Sequence, residues 1–380
     1  MSRVYLDHNA TAPLRDEARA AMLAAMDVVG NPSSVHAEGR AAKMLVERAR
    51  GQVASLVGCE STQVVFTGSA TEAAQTAAYA FVSEQATVCS GIEHDAIWAH
   101  HDNENILRID AAGRLALEHY FDTEILGSVR PLNAFAVQSA NSETGVFQDV
   151  QGSISYISDR LPRRARFLCD AVQSWGKMGF EFSACGADAA IVSAHKFGGP
   201  KGVGALVLKA GLDDLERSPL VSGGGQEMGR RSGTENVIGI AGFGAAAEAA
   251  QRDVEAGKWG RVEKLRNILE SALADASNTT IFVGKDTPRL PNTSCFITPG
   301  WKGETQVMQM DLAGFAISAG SACSSGKVKA SRVLMAMGYS ERDAASAVRV
   351  SLGLGTTEDE VLRFAEAWTQ KLKKHERRAA

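Results

Sequence analysis

The sequence lacks any CxxC pair among its six cysteines. They lie at positions 59, 89, 169, 185, 295 and 323, without the spacing typical of metal ligands or of a disulfide framework. Three of them, Cys89, Cys169 and Cys295, lie in apolar runs and are predicted to be buried as small hydrophobic residues. We therefore predict no metal site, and a reactive thiol would suit the reducing cytoplasm.

Long apolar runs and strongly basic stretches are also missing. The most apolar window, VIGIAGFGAAAEAA from Val237, reaches Glu248 too soon to span a bilayer and is predicted to form a buried helix. The first residues, MSRVYLDHNATAP, carry charges and turn formers and do not have the pattern of a signal peptide. With a formal net charge of −4 and no basic stripe, neither a membrane nor a nucleic acid is an expected partner.

The chain is long enough for a large domain and a smaller companion. Strands and helices alternate up to about Gly257, which predicts an α/β fold with a mostly parallel sheet. A helix over 262–274 and short strands in TIFVG and NTSCFITP follow. We predict a large domain over 14–256 and a small domain formed by 1–13 and 257–380.

The last helix is predicted from its first turn and its apolar stripe. Thr357 and Glu360 have the spacing of a capping box, and lysines and arginines gather near the carboxyl end. The predicted buried stripe consists of Val361, Leu362, Ala365, Trp368 and Leu372.

The segment AAIVSAHKFGG runs from an apolar strand directly into Ser193, His195 and Lys196 and then into a glycine turn. A lysine at the end of a buried strand can act as a Schiff-base nucleophile, and the neighbouring hydroxyl and imidazole can hold an anion. Taken alone, the segment is also compatible with a solvated lysine at a strand end.

Two further strand ends supply complementary groups. ARFLCDAVQSWG is an apolar strand that ends at Asp170 and is followed by Gln173. Pyridoxal phosphate requires such a carboxylate, which keeps the pyridine nitrogen protonated, together with a lysine for its aldehyde. In QVVFTGSATEAAQ, a strand leads through a small-residue turn into a helix at Ala70 and Thr71, where backbone N–H groups and the helix dipole suit a phosphate. An ordinary capped turn would have the same pattern.

Matching segments occur in order along nearly the whole chain: YLDHNATAP, GNPSSVH, FTGSATE, IEHDAI, ANSETG, CDAVQ, SAHKFGGPKGVG, GGGQEMGRRSGTEN, LPNTS, SAGSACSSG and VRVSLG. Together they resemble the group I, NifS/IscS-like cysteine desulfurases of the class V aminotransferase family. The resemblance implies a fold type I, pyridoxal-phosphate-dependent transferase with a seven-stranded-type sheet domain and a smaller α+β domain.

The resemblance also implies roles for individual residues. Lys196 would hold the cofactor covalently and move protons between substrate carbons, Asp170 would face the ring nitrogen, and Gln173 would face the phenolic oxygen. The implied phosphate ligands are Ala70, Thr71, Ser193, His195 and, from the second subunit of a homodimer, Thr234. His94, in IEHDAI, would stack on the cofactor ring and, as a catalytic residue, could also move protons.

Cys323 lies in SAGSACSSGKVKAS, a stretch rich in small residues and without apolar periodicity that is predicted to be an exposed loop. A thiol there can attack the substrate sulfur and carry it away as a persulfide. Arg349, in AVRVSLG, resembles the arginine that binds the substrate α-carboxylate, with Asn31 assisting. The alternatives are a structural salt bridge for Arg349, and an N-cap or a turn before Pro32 for Asn31.

The chain departs from the family pattern at two places. Asn141 and Ser142 precede Glu143 where two asparagines are common, and either residue is a candidate contact for the cofactor. Gln226 occupies a position where histidine is frequent.

The expected activity is conversion of L-cysteine to L-alanine, with the sulfur passed through Cys323 to an acceptor or cluster scaffold protein for iron–sulfur cluster assembly or related sulfur trafficking. Selenocysteine lyase activity is the nearest alternative, aminotransfer is disfavoured, and a pyridoxal-phosphate-binding sulfur-carrier scaffold with weak catalysis is a third reading.

Overall fold

The computed structural model describes residues 3–81, 87–118, 134–161, 164–212, 219–320 and 330–379. Its strands are β1 (Val4–Tyr5), β2 (Val64–Thr67), β3 (Thr87–Ser90), β4 (His101–Leu107), β5 (Ala134–Gln138), β6 (Arg166–Asp170), β7 (Ala189–Ser193), β8 (Gly204–Leu208), β9 (Ile281–Phe282), β10 (Thr293–Ile297), β11 (Phe315–Ala316), β12 (Ser318–Ala319) and β13 (Ala347–Ser351). Its α-helices are α1 (Asp16–Met26), α2 (Ala37–Val57), α3 (Ala70–Phe81), α4 (Asp95–Trp98), α5 (Val150–Ser158), α6 (Phe182–Cys185), α7 (Val237–Glu255), α8 (Trp259–Ala276), α9 (Gly303–Leu312), α10 (Arg332–Ala336), α11 (Glu341–Ala344) and α12 (Glu358–Ala379).

A seven-stranded sheet forms the centre of the larger part of the chain, in the order β2-β8-β7-β6-β5-β3-β4. Strand β8 is antiparallel to both of its neighbours, and the other pairs are parallel. Parallel strands are covered on both faces, which explains continuous apolar runs such as AAIVS instead of alternating ones. The predicted α/β fold with a mostly parallel seven-stranded sheet is confirmed.

Helices α1, α2 and α7 cover one face of this sheet, and α3 packs on the other face. Gly244 in α7 allows a close approach to α2, because a Cβ at this position would lie 2.5 Å from the Cα of Ala49. The prediction of a buried helix from Val237 is confirmed, with Phe243 fully buried. No helix in the described ranges combines the length and apolarity needed to cross a membrane.

A second hydrophobic core lies around a four-stranded antiparallel sheet, β12-β13-β10-β9. Residues 4–6 belong to it, because β1 pairs with β11 and both Val4 and Leu6 are buried there. The remaining members of this core come from residues 262–372. The separate cores around the large sheet and around the four-stranded sheet support two domains. The boundary between residues 256 and 257 stays a prediction.

Helix α12 begins with the predicted capping box. The Thr357 backbone N–H donates to the Glu360 carboxylate, and the Glu360 N–H donates to the Thr357 hydroxyl. The predicted stripe is wrong at Leu362, which is 45% exposed, whereas Phe364 is fully buried. Since each helical residue turns by about 100°, Leu362 lies beside the face of Val361, while Phe364 returns to that face.

A buried ion pair fixes the edge of the large sheet. The Glu227 carboxylate accepts from both terminal nitrogens of Arg50, at 2.7 and 2.9 Å, and from the backbone N–H of Phe66 in β2, at 2.8 Å. Both side chains are almost completely buried. Replacing Glu227 with glutamine would leave a buried charge unpaired, and we expect the free energy of unfolding to fall by about 3 kcal/mol in urea titrations.

Glu47 provides the matched control for this prediction. It pairs with the same Arg50 guanidinium, but its side chain is 51% exposed. An exposed ion pair contributes little, so Glu47→Gln should cost less than about 1 kcal/mol. Equal losses for the two variants would contradict a dominant role of burial.

Candidate active site

A cavity of about 520 Å³ opens at the carboxyl edge of the large sheet. Parallel strands β6 and β7 end there, so residues that follow them share one edge. Nine of the residues singled out from the sequence line this cavity: Ala70, Thr71, His94, Ser142, Asp170, Gln173, Ser193, His195 and Lys196. The strand-end pattern therefore identified residues that the fold brings together.

Lys196 lies in the short turn that follows β7. Its Nζ atom donates to the backbone oxygens of Asn9, at 2.7 Å, and Ala10, at 3.0 Å. The neighbouring His195 ring has its Nδ1 atom 3.2 Å from the Thr11 hydroxyl. Burial, together with the nearby positive charges of Lys196 and Lys201, lowers the pKa of His195 to about 4, so that its imidazole is neutral at pH 7.

Asp170 is the last residue of β6 and is buried against the cavity. One carboxylate oxygen accepts from the backbone N–H of Val172 at 3.0 Å. Burial raises the pKa of Asp170, and the nearby His94 and Lys196 oppose this rise. A buried carboxylate of this kind gains stability from a cationic partner, such as a protonated ring nitrogen.

The amino terminus of α3 also lines the cavity and could hold an anion. Ser69, Ala70 and Thr71 line it at the first turn of this 12-residue helix. Strand β8 passes close beside this turn, because a Cβ at Gly204 would lie 2.6 Å from the Ser69 carbonyl carbon and 2.7 Å from the Ala70 nitrogen. Only glycine fits there.

The residues present fit pyridoxal 5′-phosphate. The cavity has an amine for an aldehyde, a buried carboxylate for a ring nitrogen, and a helix terminus with hydroxyl groups for a phosphate. The described residues contain no group of three or more His, Cys, Asp or Glu side chains that could hold a metal ion.

His94 forms the N-cap of α4, where its Nδ1 atom accepts from the backbone N–H of Ala96 at 3.1 Å. This bond leaves the proton of a neutral ring on Nε2. Arg332, which no sequence motif predicted as a site residue, holds the same turn. It donates to the Glu93 carbonyl at 2.8 Å and to the Asp95 carboxylate at 2.9 Å, and therefore fixes the backbone on both sides of His94.

Arg349 is buried behind Ser142 in strand β13. It pairs with Asp7 at 2.8 Å and donates to the Ser142 carbonyl at 3.0 Å. The salt bridge considered from the sequence is therefore present. The Nε atom is buried and has no hydrogen-bond partner among the described residues. Arg349 itself does not line the cavity.

The other candidates do not line the cavity of this chain. Asn31 is exposed and accepts from the Ser33 N–H at 2.9 Å, which is the turn considered from the sequence. Asn141 is buried, and its side-chain oxygen accepts from the backbone N–H groups of Glu143 and Thr144. Thr234 is exposed. Cys323 lies outside the described residues.

Glu143 lies close to Gly320 and Ser331, two described residues on either side of the segment that contains Cys323. A Cβ at Gly320 would lie 3.4 Å from the Glu143 carboxylate, and the Ser331 hydroxyl donates to the same carboxylate at 2.5 Å. Burial raises the pKa of Glu143 to about 7. Ser142, the neighbour of Glu143 in sequence, lines the cavity.

Asn9, which lies in the YLDHNATAP segment, connects the residues at the base of the site. Its backbone oxygen accepts from Lys196 and from Gln173, and its side-chain oxygen accepts from Lys177 at 2.9 Å. Lys177 is 3% exposed and follows Gln173 by four residues. A lysine in QSWGK and an asparagine in YLDHNATAP are local signals, but their contact spans 168 positions.

His8 couples stability to pH. Burial, together with the positive charge of Lys177, lowers its pKa to about 4, whereas an unfolded histidine titrates near 6.5. The unfolded state therefore binds the proton first, and stability that is present above pH 6.5 is lost as the pH falls towards 4. Between pH 7.5 and 5.0, the wild type should lose about 1–2 kcal/mol more than His8→Asn in urea unfolding without cofactor. Parallel pH profiles for the two proteins would refute this assignment.

The sheet topology and the cavity define a class, the fold type I pyridoxal-phosphate enzymes. The family model described as Aminotransferase class-V matches residues 4–364. The chain belongs to the class V aminotransferase family.

Relatives cover nearly the whole chain. It is 39% identical to a cysteine desulfurase of Cereibacter sphaeroides, over 96% of this chain and 95% of that one. It is 36% identical to a cysteine desulfurase of Enterobacter agglomerans, over 95% and 90% of the two chains. The X-ray structure of a NifS-like protein from Rickettsia africae superimposes with a TM-score of 0.87, at 31% identity, over 98% of this chain and 99% of that one.

Proposed function

We propose that this protein is a pyridoxal-phosphate-dependent cysteine desulfurase. L-Cysteine and the Cys323 thiol would yield L-alanine and a Cys323 persulfide, so that one sulfur atom moves and no external oxidant is consumed. The observation that carries the proposal is the convergence of Asp170 and Lys196 on one cavity, in a chain 39% identical to a cysteine desulfurase.

The cofactor would supply an electron-withdrawing ring that stabilises negative charge at the substrate Cα. Asp170 would hold the proton on the ring nitrogen, and Lys196 would bind the aldehyde carbon. Ser193, His195 and the amino terminus of α3 would hold the phosphate, since all of them line the cavity. Gln173 would donate to the phenolic oxygen.

Residues of the chain would also bind and orient the substrate. Arg349 would bind the α-carboxylate, with Nε as its unpartnered buried donor. Asp7 holds the arginine in place through the ion pair at 2.8 Å. The Lys196 amine would also move a proton between the substrate Cα and Cβ. His94 would lie against the cofactor ring and keep it flat in the cavity.

We infer a homodimer in the cytoplasm as the working form. The exposed position of Thr234, away from its own chain's cavity, supports a contribution to the second subunit's phosphate site. A reducing compartment would keep Cys323 available as a thiol. The persulfide would pass to an acceptor or scaffold protein in iron–sulfur cluster assembly or related sulfur trafficking.

The test is incubation of the purified, cofactor-loaded protein with L-cysteine and excess dithiothreitol. Alanine and sulfide should form in equal amounts, and Lys196→Ala, which cannot bind the cofactor covalently, should form neither. Formation of alanine without sulfide would contradict the proposed release of sulfur. Absence of both products would contradict the proposed activity.

Selenocysteine lyase activity is the alternative function, and its substrate would be L-selenocysteine. Alanine from L-selenocysteine, but none from L-cysteine, would select it. A sulfur-carrier scaffold with weak catalysis would show the bound cofactor without multiple turnovers of either substrate.

A further inference from the structure

A buried lysine without an acidic partner lies directly beneath Gln173. Lys177 is 3% exposed, and no carboxylate of the described residues lies within ion-pair distance of its ammonium group. Its Nζ atom donates to the Gln173 side-chain oxygen at 2.6 Å and to the Asn9 side-chain oxygen at 2.9 Å. It does not line the candidate cofactor cavity. Any effect on the cavity must therefore pass through a neighbour or through its charge.

The contact fixes the orientation of the Gln173 amide. The Lys177 nitrogen donates to the Gln173 side-chain oxygen and to the Asn9 side-chain oxygen, so the oxygen of the amide faces the lysine. The amide nitrogen then faces the opposite side, where it donates to the Asn9 backbone oxygen at 3.1 Å. A reversed amide would place two oxygens against each other at Asn9 and would turn an N–H group toward the donating nitrogen of Lys177. Both contacts therefore favour the same orientation.

The Asn9 backbone oxygen also accepts from Lys196, at 2.7 Å. The Gln173 nitrogen and the Lys196 nitrogen therefore meet at one carbonyl at the base of the cavity, and both residues line it. In this arrangement the –NH2 group of Gln173 lies next to the amine that would bind the cofactor. The group is suited to donate to an anionic oxygen on that cofactor.

Stability gives no reason for a lysine at this position. Burial and the positive charges of Lys196 and Arg349 lower the pKa of Lys177 well below its ordinary value. A buried amine that lacks a carboxylate costs free energy, and such groups concentrate at functional sites.

We propose that Lys177 is a positioning residue that holds the Gln173 amide with its –NH2 group toward the cofactor's phenolic oxygen. The inference rests on the function proposed above. Lys177 acts on the reaction through Gln173 and does not touch the reacting atoms. Removing it frees the amide to rotate, and the donor to the phenolic oxygen is lost for part of the time.

The test uses the visible absorption of the bound cofactor, which reports on the phenolic oxygen and needs no turnover. The pH midpoint of this absorption is measured for four cofactor-loaded proteins: wild type, Lys177→Met, Gln173→Met and the double variant. Each single variant should raise the midpoint by about one pH unit, because a donor to the anionic oxygen is lost. The double variant should shift no further than Gln173→Met alone.

Full additivity of the two shifts would overturn the proposal, because Lys177 would then act independently of Gln173. Lys177→Arg keeps donors at this position and should restore the wild-type midpoint to within about 0.3 pH units. If Lys177→Met does not fold, Lys177→Gln replaces it among the four proteins compared. Glutamine is polar but too short to reach the side-chain oxygens of both Gln173 and Asn9. A wild type that binds the cofactor without desulfurating L-cysteine would count against the proposed function alone, and the spectral cycle would still decide the role of Lys177.

Discussion

Replacing Asp170 with asparagine is expected to reduce turnover of L-cysteine by about 10²–10³-fold, the range seen when a preorganised group that stabilises transition-state charge is removed. Asparagine preserves shape but cannot hold a proton on the ring nitrogen, so the ring withdraws fewer electrons from Cα. The measurement is the rate of alanine formation at saturating cofactor, together with the amount of cofactor bound.

The same change should not destabilise the protein without cofactor. Burial raises the pKa of Asp170 in the folded state. A carboxyl group with a raised pKa contributes stability only at low pH and costs free energy once it ionises. The asparagine side chain that Asp170→Asn introduces carries no charge, so unfolding in urea at pH 7.5 should show equal or greater stability. Lower stability with unchanged turnover would contradict the assignment of Asp170 to catalysis.

Asp188 is the matched control, because it is another buried aspartate at the opposite edge of the same sheet. It precedes β7, accepts from the Phe167 N–H at 3.0 Å, and pairs with Arg164 at 3.1 Å. Asp188→Asn should lower the free energy of unfolding by about 1–3 kcal/mol, since a buried bond to a charge is weakened. Turnover should stay within about twofold of the wild type.

The strands and their terminal residues could be predicted because the information is local. A run such as AAIVS is apolar throughout, as buried parallel strands are, and Asp170 and Lys196 each lie at or just after the end of such a run. Parallel strands bring their carboxyl ends to one edge, so two separate segments converge without any knowledge of side-chain contacts. The phosphate turn at Ala70 follows the same logic.

The base of the site could not be predicted, because its contacts join distant segments. Lys177 meets Asn9 across 168 positions, and Arg349 meets Asp7 across 342. Each of these side chains is polar in a mixed sequence context and could equally be solvated. Arg332 was missed for the same reason, since its acceptors at Gly91 and Glu93 are more than 230 positions away.

Cys323→Ala is expected to abolish sulfide formation from L-cysteine, to below about 1% of wild type, while the visible absorption of the bound cofactor stays unchanged. The variant retains every residue that lines the cavity and loses only the group that would accept the sulfur. A thiolate is the side chain suited to attack sulfur and to release it again. Mass spectrometry after one turnover should find one added sulfur atom on the wild-type peptide that contains Cys323, and none on the variant.

Cys59→Ala is the control that separates a specific thiol from any available one. Cys59 is the half-buried cysteine of the described residues, and Cys89, Cys169, Cys185 and Cys295 are buried. Burial and the neighbouring Glu60 raise the pKa of Cys59 to about 12, so its thiol stays protonated at neutral pH and is a poor nucleophile. Its removal should leave sulfide formation unchanged. If Cys323→Ala instead retained full turnover, the sulfur would have to pass directly to the added reductant, and Cys323 would have no part in the chemistry.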